Sequence, residues 1–158
     1  MCVDEDGNTP LNLAIREKRE DIVRDMLKRG GLDINAALHT AAQSSCVGII
    51  DLLLAQDGID ANHPTSRGET PLMRARYYLS MEALLAHPDV KVDHVDHFGR
   101  SALSYAAERG DLSCAVVLLK HGARPDLKDS WGETPISRAA MAKQGDMVKL
   151  LETAIAAN

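Results

Sequence analysis

The densest group of metal-ligating side chains in the sequence is Asp93-His94-Val95-Asp96-His97, two carboxylates and two imidazoles in one short stretch. Zinc takes three or four ligands of these types, and two histidines at this spacing can share an ion. No cysteine lies nearby in sequence, and alternate residues of a hairpin diverge, so metal binding is not expected. A cysteine–histidine nucleophilic pair is equally poorly supported. Cys46 and Cys114 lie in or beside apolar runs, where a thiol is ordinarily a small buried hydrophobe, and Cys2 lies near a terminus. The sequence contains no Gly-rich phosphate loop, no His-Glu-x-x-His and no Gly-x-Ser-x-Gly. The expectation is a chain that is not an enzyme and needs no cofactor or metal.

Composition narrows the setting. At 158 residues and 17.1 kDa the chain has the size of one domain. Aromatics are only 3%, so Leu, Ile, Val and Ala must fill the interior. A net charge of −5 argues against a general nucleic-acid binder, which needs a basic excess. Three cysteines do not make a disulfide framework, and a reducing compartment, cytoplasmic or nuclear, is expected. No apolar run approaches the ~20 residues of a membrane helix. The opening Met1-Cys2-Val3-Asp4-Glu5-Asp6 lacks the basic-then-apolar order of a secretory signal.

The elements that position any site are repeated. Thr9-Pro10-Leu11 returns as Thr70-Pro71-Leu72, Ser101-Ala102-Leu103 and Thr134-Pro135-Ile136, each with a glycine two residues ahead (Gly7, Gly68, Gly99, Gly132). A fifth copy, Leu38-His39-Thr40-Ala41-Ala42, lacks this opening. Leu11, Leu38, Leu72, Leu103 and Ile136 are spaced by 27, 34, 31 and 33 residues. Small or apolar residues stand three and four past the anchor (Ala14-Ile15, Ala41-Ala42, Ala106-Ala107, Ala139-Ala140), and a second apolar stripe begins eleven residues past it. Each copy reads as two short helices. The Thr hydroxyl accepts from first-turn N–H groups, and Pro fits where no N–H is required. Gly30, Gly58 and Gly122 stand where a left-handed cap would stop the second helix. Such units bury their stripes only against neighbours.

The pattern Asp-x-x-Gly-x-Thr-Pro-Leu, Ala-Ala, Leu-Leu, Gly-x-x-Asp/Asn resembles the ankyrin repeat, and the resemblance covers essentially the whole chain. It implies an all-α solenoid with short β-hairpin fingers, one domain over 1–158, with repeats at about 4–36, 37–64, 65–95, 96–128 and 129–158. It also implies a protein-binding surface made of finger tips and first helices. Two departures carry expectations. Asn35 and Leu38 are separated by three positions where Asn62–Leu72 and Asp93–Leu103 are separated by ten, so the finger between repeats one and two is expected to be absent. The anchor-to-Leu distance is 12 in repeat three (Leu72 to Leu84) against 15 in repeat four (Leu103 to Leu118), nearly one helical turn lost. There, His87-Pro88 stands in place of the usual glycine. His39 matches the family's structural histidine, which ties one finger to the next.

Carried onto the fingers, the resemblance places the only Phe and the only Trp of the chain at tips. Exposed rings there imply anchors for a protein partner, Phe98 and Trp131; the alternative is that each ring folds onto its own hairpin or the next finger. Around them the expected partner-binding residues are Arg67, Arg76, Tyr77, His97, Arg100, Arg109, Ser130 and Met141. The four arginines as a set favour an acidic partner. Tyr105 is expected to serve the core. A second reading makes the chain a structural or regulatory segment of a larger protein. In that reading Ile15, Ile22 and Met26 form an uncovered outer face at which the N-terminal repeat could pair with a second copy.

Overall fold

The structure, a computed structural model, describes residues 9–156. Cys2, weighed above as a nucleophile, and Gly7, the glycine ahead of the first anchor, lie outside the described residues. Among the described residues ten helices follow one another as five pairs: α1 (Pro10–Arg16) with α2 (Glu20–Arg29), α3 (Ile34–Gln43) with α4 (Val47–Leu54), α5 (Pro71–Arg74) with α6 (Tyr78–Leu85), α7 (Ala102–Arg109) with α8 (Leu112–Lys120), and α9 (Pro135–Met141) with α10 (Gly145–Ala156). First helices pack on first helices and second on second along the series, and each pair packs internally. The result is a helical stack whose core is continuous from Leu11 to Leu151.

Small residues make the close inner packing possible. Ala41, Ala42, Ala75, Ala106, Ala107 and Ala139 have no exposed surface, so adjacent first helices meet with little side chain between them. The second helices supply bulk: Val23, Ile50, Leu53, Leu84, Leu118 and Leu151 are fully buried. Burying a Leu or Ile side chain contributes about 1.5–3 kcal/mol relative to leaving it exposed. Ile15 belongs to this interior. On the reading of the chain as a segment it was expected on the uncovered outer face, but it is 0% exposed and part of the continuous core; Ile22 is exposed and Met26 half-buried.

Helix starts follow their cap residues. The hydroxyls of Thr9, Ser101 and Thr134 accept from the N–H groups three residues on, at 3.2, 3.2 and 3.4 Å. Thr70 departs from this rule: its hydroxyl is buried with no partner among the described residues, while its N–H meets the Met73 thioether at 3.5 Å. The glycine stops also differ in detail. Of Gly30, Gly58 and Gly122, Gly30 alone caps its helix directly, and with φ +70° and ψ −174° it lies outside the left-handed helical region. Helices α4 and α8 are capped by Ala55 and His121, with Gly58 and Gly122 lying beyond at positive φ. The left-handed cap is Gly110, closing α7.

Both irregularities anticipated from spacing are present. Only the short segment Gly30–Asp33 separates α2 from α3, with no finger between them. Helix α5 has four residues, against 10 in α3 and 8 in α7. Side chains also stitch consecutive units together. Asn35 Oδ1 accepts from the Asp60 N–H at 2.9 Å, Asn62 Oδ1 from Lys91 at 2.8 Å, and Asp93 Oδ1 from Arg124 at 2.9 Å. This is the physical role of the Asn or Asp that ends these three units, four residues past Gly31 and Gly58 in the first two.

Candidate partner-binding surface

Three fingers share one construction. In each, the first residue's N–H donates to the carbonyl four residues on (Thr65 to Glu69, 2.9 Å; Asp96 to Arg100, 3.0 Å; Asp129 to Glu133, 2.9 Å). Its side-chain oxygen accepts two further N–H groups. Asp96 Oδ1 takes those of Phe98 and Arg100, and Asp129 Oδ1 those of Trp131 and Glu133, all at 2.9 Å. Thr65 Oγ1 does the same for Arg67 and Glu69, more loosely, at 3.3 and 3.2 Å. The fourth residue must adopt positive φ, and glycine does so without a Cβ penalty. Strand character is minimal: among the described residues one isolated antiparallel bridge, Val95 with Ser101, remains of the hairpins.

The fingers are also tied to each other. The His97 N–H donates to the Arg67 carbonyl at 3.0 Å, and the Ser130 N–H to the Phe98 carbonyl at 2.9 Å. Arg67, Phe98 and Trp131 therefore occupy equivalent tip positions in a hydrogen-bonded row. This brings Phe98 and Trp131 together as a stacked pair, centroids 5.6 Å apart and planes 19° from parallel. The pair stays open to solvent, with Phe98 41% and Trp131 63% exposed. A ring contacting the next finger and a ring presented outward are thus the same arrangement.

Each ring is backed by an arginine that the finger's own aspartate holds. Arg100 donates to Asp96 Oδ2 at 2.9 Å and lies 5.3 Å from the Phe98 centroid. Arg138, from α9, donates through Nε to Asp129 Oδ2 at 2.6 Å and lies 5.5 Å from the Trp131 centroid. Burial alone raises the carboxyls of Asp96 and Asp129, but the N–H and arginine donors, with Tyr105 at Asp96, outweigh it and hold both below the ordinary Asp value.

The remaining expected residues divide by employment. Arg67, Arg76, Tyr77, His97, Ser130 and Met141 are exposed. Arg109 is half-buried and donates to the Ala75 carbonyl at 3.2 Å. Arg100 is turned inward, with 19% of its side chain exposed, and also donates to the Tyr105 hydroxyl. Tyr105 is half-buried against the core as expected, yet its hydroxyl reaches Glu69 at 2.9 Å and Asp96 at 2.8 Å. His39 Nε2 lies 2.7 Å from the His63 carbonyl, which ties α3 to the loop ahead of the next finger and not one finger to another. Asp93 and Asp96 are occupied by backbone and side-chain donors, as described. Burial, followed by the bond to Asp111, pushes the Cys114 thiol up to about 12, far from a reactive thiolate.

Sequence reasoning passed over Arg138 and the polar role of Tyr105. Both stand two residues past their anchor, as Arg74 does, and all three bond to a finger carboxylate: Arg74 to Glu69 at 3.0 Å, Tyr105 to Asp96, Arg138 to Asp129. A polar or phenolic residue recurring at that place was the available signal.

A stack of paired helices joined by turn-like fingers is the architecture of a repeat protein, and comparison with known proteins agrees. The model described as "Ankyrin repeats (3 copies)" matches residues 79–157, and "Ankyrin repeat" matches 6–37 and 33–66. The chain belongs to the ankyrin-repeat family, whose members are protein–protein interaction modules. It is similar to neurogenic locus notch homolog protein 1 of Mus musculus and of Homo sapiens, each 34% identical over 145 residues, 84% of this chain and 6% of the relative. Neurogenic locus notch homolog protein 2 of Homo sapiens is 32% identical over 137 residues, 80% of this chain and 6% of the relative. The chain thus spans about 6% of the length of the curated relatives it matches. No helix among the described residues is long and apolar enough to cross a membrane.

Proposed function

We propose that the fingers and first helices form a preordered, non-catalytic surface that binds another protein. Phe98 and Trp131 are its anchors, and Arg67, His97, Ser130, Met141, Tyr77, Arg76, Arg109 and Arg100 surround or orient them. The observation that carries this reading is the exposed Phe98–Trp131 stack. A monomeric protein rarely leaves its largest side chains at loop tips without a use. Because the tips are hydrogen-bonded to one another, little conformational freedom is lost on docking, and a few anchors suffice. An intracellular setting fits the unpaired cysteines Cys46 and Cys114.

The test is affinity capture compared across variants. Partners held by the wild-type chain are expected to be retained by Lys120→Glu, on the second-helix side, and lost by Phe98→Ala/Trp131→Ala. Equal retention by the aromatic double variant overturns the assignment. A role as a regulatory segment within a longer protein is supported by the much greater length of its relatives.

A further inference from the structure

The shortening of α5 leaves an opening on the first-helix face. Helix α3 continues to Gln43 and α7 to Arg109, whereas α5 stops at Arg74. Where the next turn of α5 would stand there is a cleft of about 530 Å³. It is lined by Arg74, Arg76, Arg100 and Arg109, with Glu69, Glu108 and Tyr105 among them.

Charge bookkeeping around this cleft is uneven. Arg74 pairs with Glu69 at 3.0 Å, and its Nε also reaches Gln43, 2.6 Å away when the Gln43 amide oxygen faces it. Arg100 pairs with Asp96 at 2.9 Å. Glu108, the remaining carboxylate of the lining, reaches Arg138 at 3.7 Å. Arg76 makes no ion pair or side-chain hydrogen bond among the described residues. Arg109 is bound only through Nη2, to the carbonyl of Ala75 at the cut end of α5. Two guanidinium groups are thus left without a carboxylate in a chain whose net charge is −5.

Building on the protein-binding role proposed above, we infer that this cleft receives an acidic segment of the partner, with adjacent Glu or Asp carboxylates meeting Arg76 and Arg109. Guanidinium groups pair with carboxylates through two parallel N–H bonds and are favoured for this over a point charge. The existing pairs hold Arg74 and Arg100 in place, so the wall of the cleft is fixed before the ligand arrives. Recognition then combines an aromatic anchor at the tips with an anionic contact on the first-helix face, and orientation follows from having both.

The probe is a fluorescein-labelled hexaglutamate peptide, titrated by anisotropy in about 0.1 M salt, where exposed charges further apart than about 10 Å are screened. Wild type is expected to bind. Arg76→Glu, at an exposed residue with no internal bond, is expected to weaken binding about tenfold or more, and Arg109→Gln to weaken it less. Lys120→Glu, the same charge change on the second-helix side, is expected to stay within about twofold of wild type. Equal losses for Arg76→Glu and Lys120→Glu, no loss for Arg76→Glu, or no binding to wild type overturns the assignment. So does binding of a phosphoserine peptide where hexaglutamate fails, which would make the cleft a phosphate site. Phe98→Ala/Trp131→Ala is expected to leave hexaglutamate binding intact. Loss of the captured partner in that variant while the peptide arm fails would therefore sink the cleft and leave the protein-binding surface standing.

Discussion

The phenol of Tyr105 lies 2.9 Å from the carboxylate of Glu69, a residue 36 positions earlier and one finger away. The same hydroxyl is 2.8 Å from Asp96 and accepts from Arg100. One proton therefore serves two carboxylates, and the arginine supplies the compensating charge. Burial first, then the two carboxylates, raise the phenol well above its ordinary value, so Tyr105 stays protonated and acts as a donor throughout the accessible pH range.

Tyr105→Phe keeps the ring and removes this donor. The loss is expected to be about 1–3 kcal/mol of unfolding free energy, because carboxylates at 6% and 4% exposure lose a partner that water cannot fully replace. Urea denaturation checks it; a change under about 0.5 kcal/mol would mean that the network contributes little.

Acid should weaken the fold, and the sign follows from the groups involved. Glu69, Asp96 and Asp129 are held below their ordinary values of 4.5, 3.8 and 3.8. Burial opposes this in each case, but the donors around them prevail. The unfolded chain takes up protons first, so the stabilisation is complete above those ordinary values and is lost as pH falls through the folded ones. His39 adds to the trend from higher pH. Its burial lowers it below 6.5, more than the His63 carbonyl raises it, and Arg74 lowers it further. Unfolding midpoints measured from pH 7 downward are expected to drop first below about 6.5 and then more steeply below about 4.5. Replacing His39 by Gln should remove the first step only.

Gly99 and Gly132 occupy the same place in successive fingers, at φ +75° and +80°. A Cβ on Gly132 meets nothing within 4 Å, whereas one on Gly99 falls 3.0 Å from the Asp129 Cα and the Ser130 nitrogen. Gly132→Ala is expected to cost about 1–2 kcal/mol for its left-handed backbone alone. Gly99→Ala should cost at least about 1 kcal/mol more, since the neighbour is backbone and cannot swing aside. Equal losses in parallel melts would show that the fingers are looser than their hydrogen bonds imply.

Trp131 is the only tryptophan, so its fluorescence reports the tip directly. Phe98→Ala is expected to increase acrylamide quenching of Trp131 while changing stability by no more than about 1 kcal/mol, the worth of a surface aromatic pair. Unchanged quenching would mean that the two rings do not remain stacked in solution.

What was legible in the sequence was what repeats. The Thr-Pro-Leu anchors, the Ala pairs and the glycines at 68, 99 and 132 each encode a local requirement, so their spacing disclosed the helix pairs, the absent finger between repeats one and two and the shortened α5. Contacts that depend on which face meets a neighbour were harder to read. Ile15 was placed outside because its stripe was known but not the direction of packing. Ser80 donates to the Ser44 carbonyl at 2.6 Å across two helix pairs, and Arg138 reaches back to Asp129; neither partner is marked by local pattern. The stacking of Phe98 on Trp131 follows from finger-to-finger register, which is set by backbone bonds that carry no residue preference.

That register has a consequence for variation at the tips. The N–H groups of His97 and Ser130 and the carbonyls of Arg67 and Phe98 hold the spacing, and side-chain replacement leaves all four atoms in place. Residues 67, 98 and 131 are therefore marks on a ruler whose divisions are fixed. New side chains can be installed there, singly or together, to change what is gripped while the distance between grips stays the same.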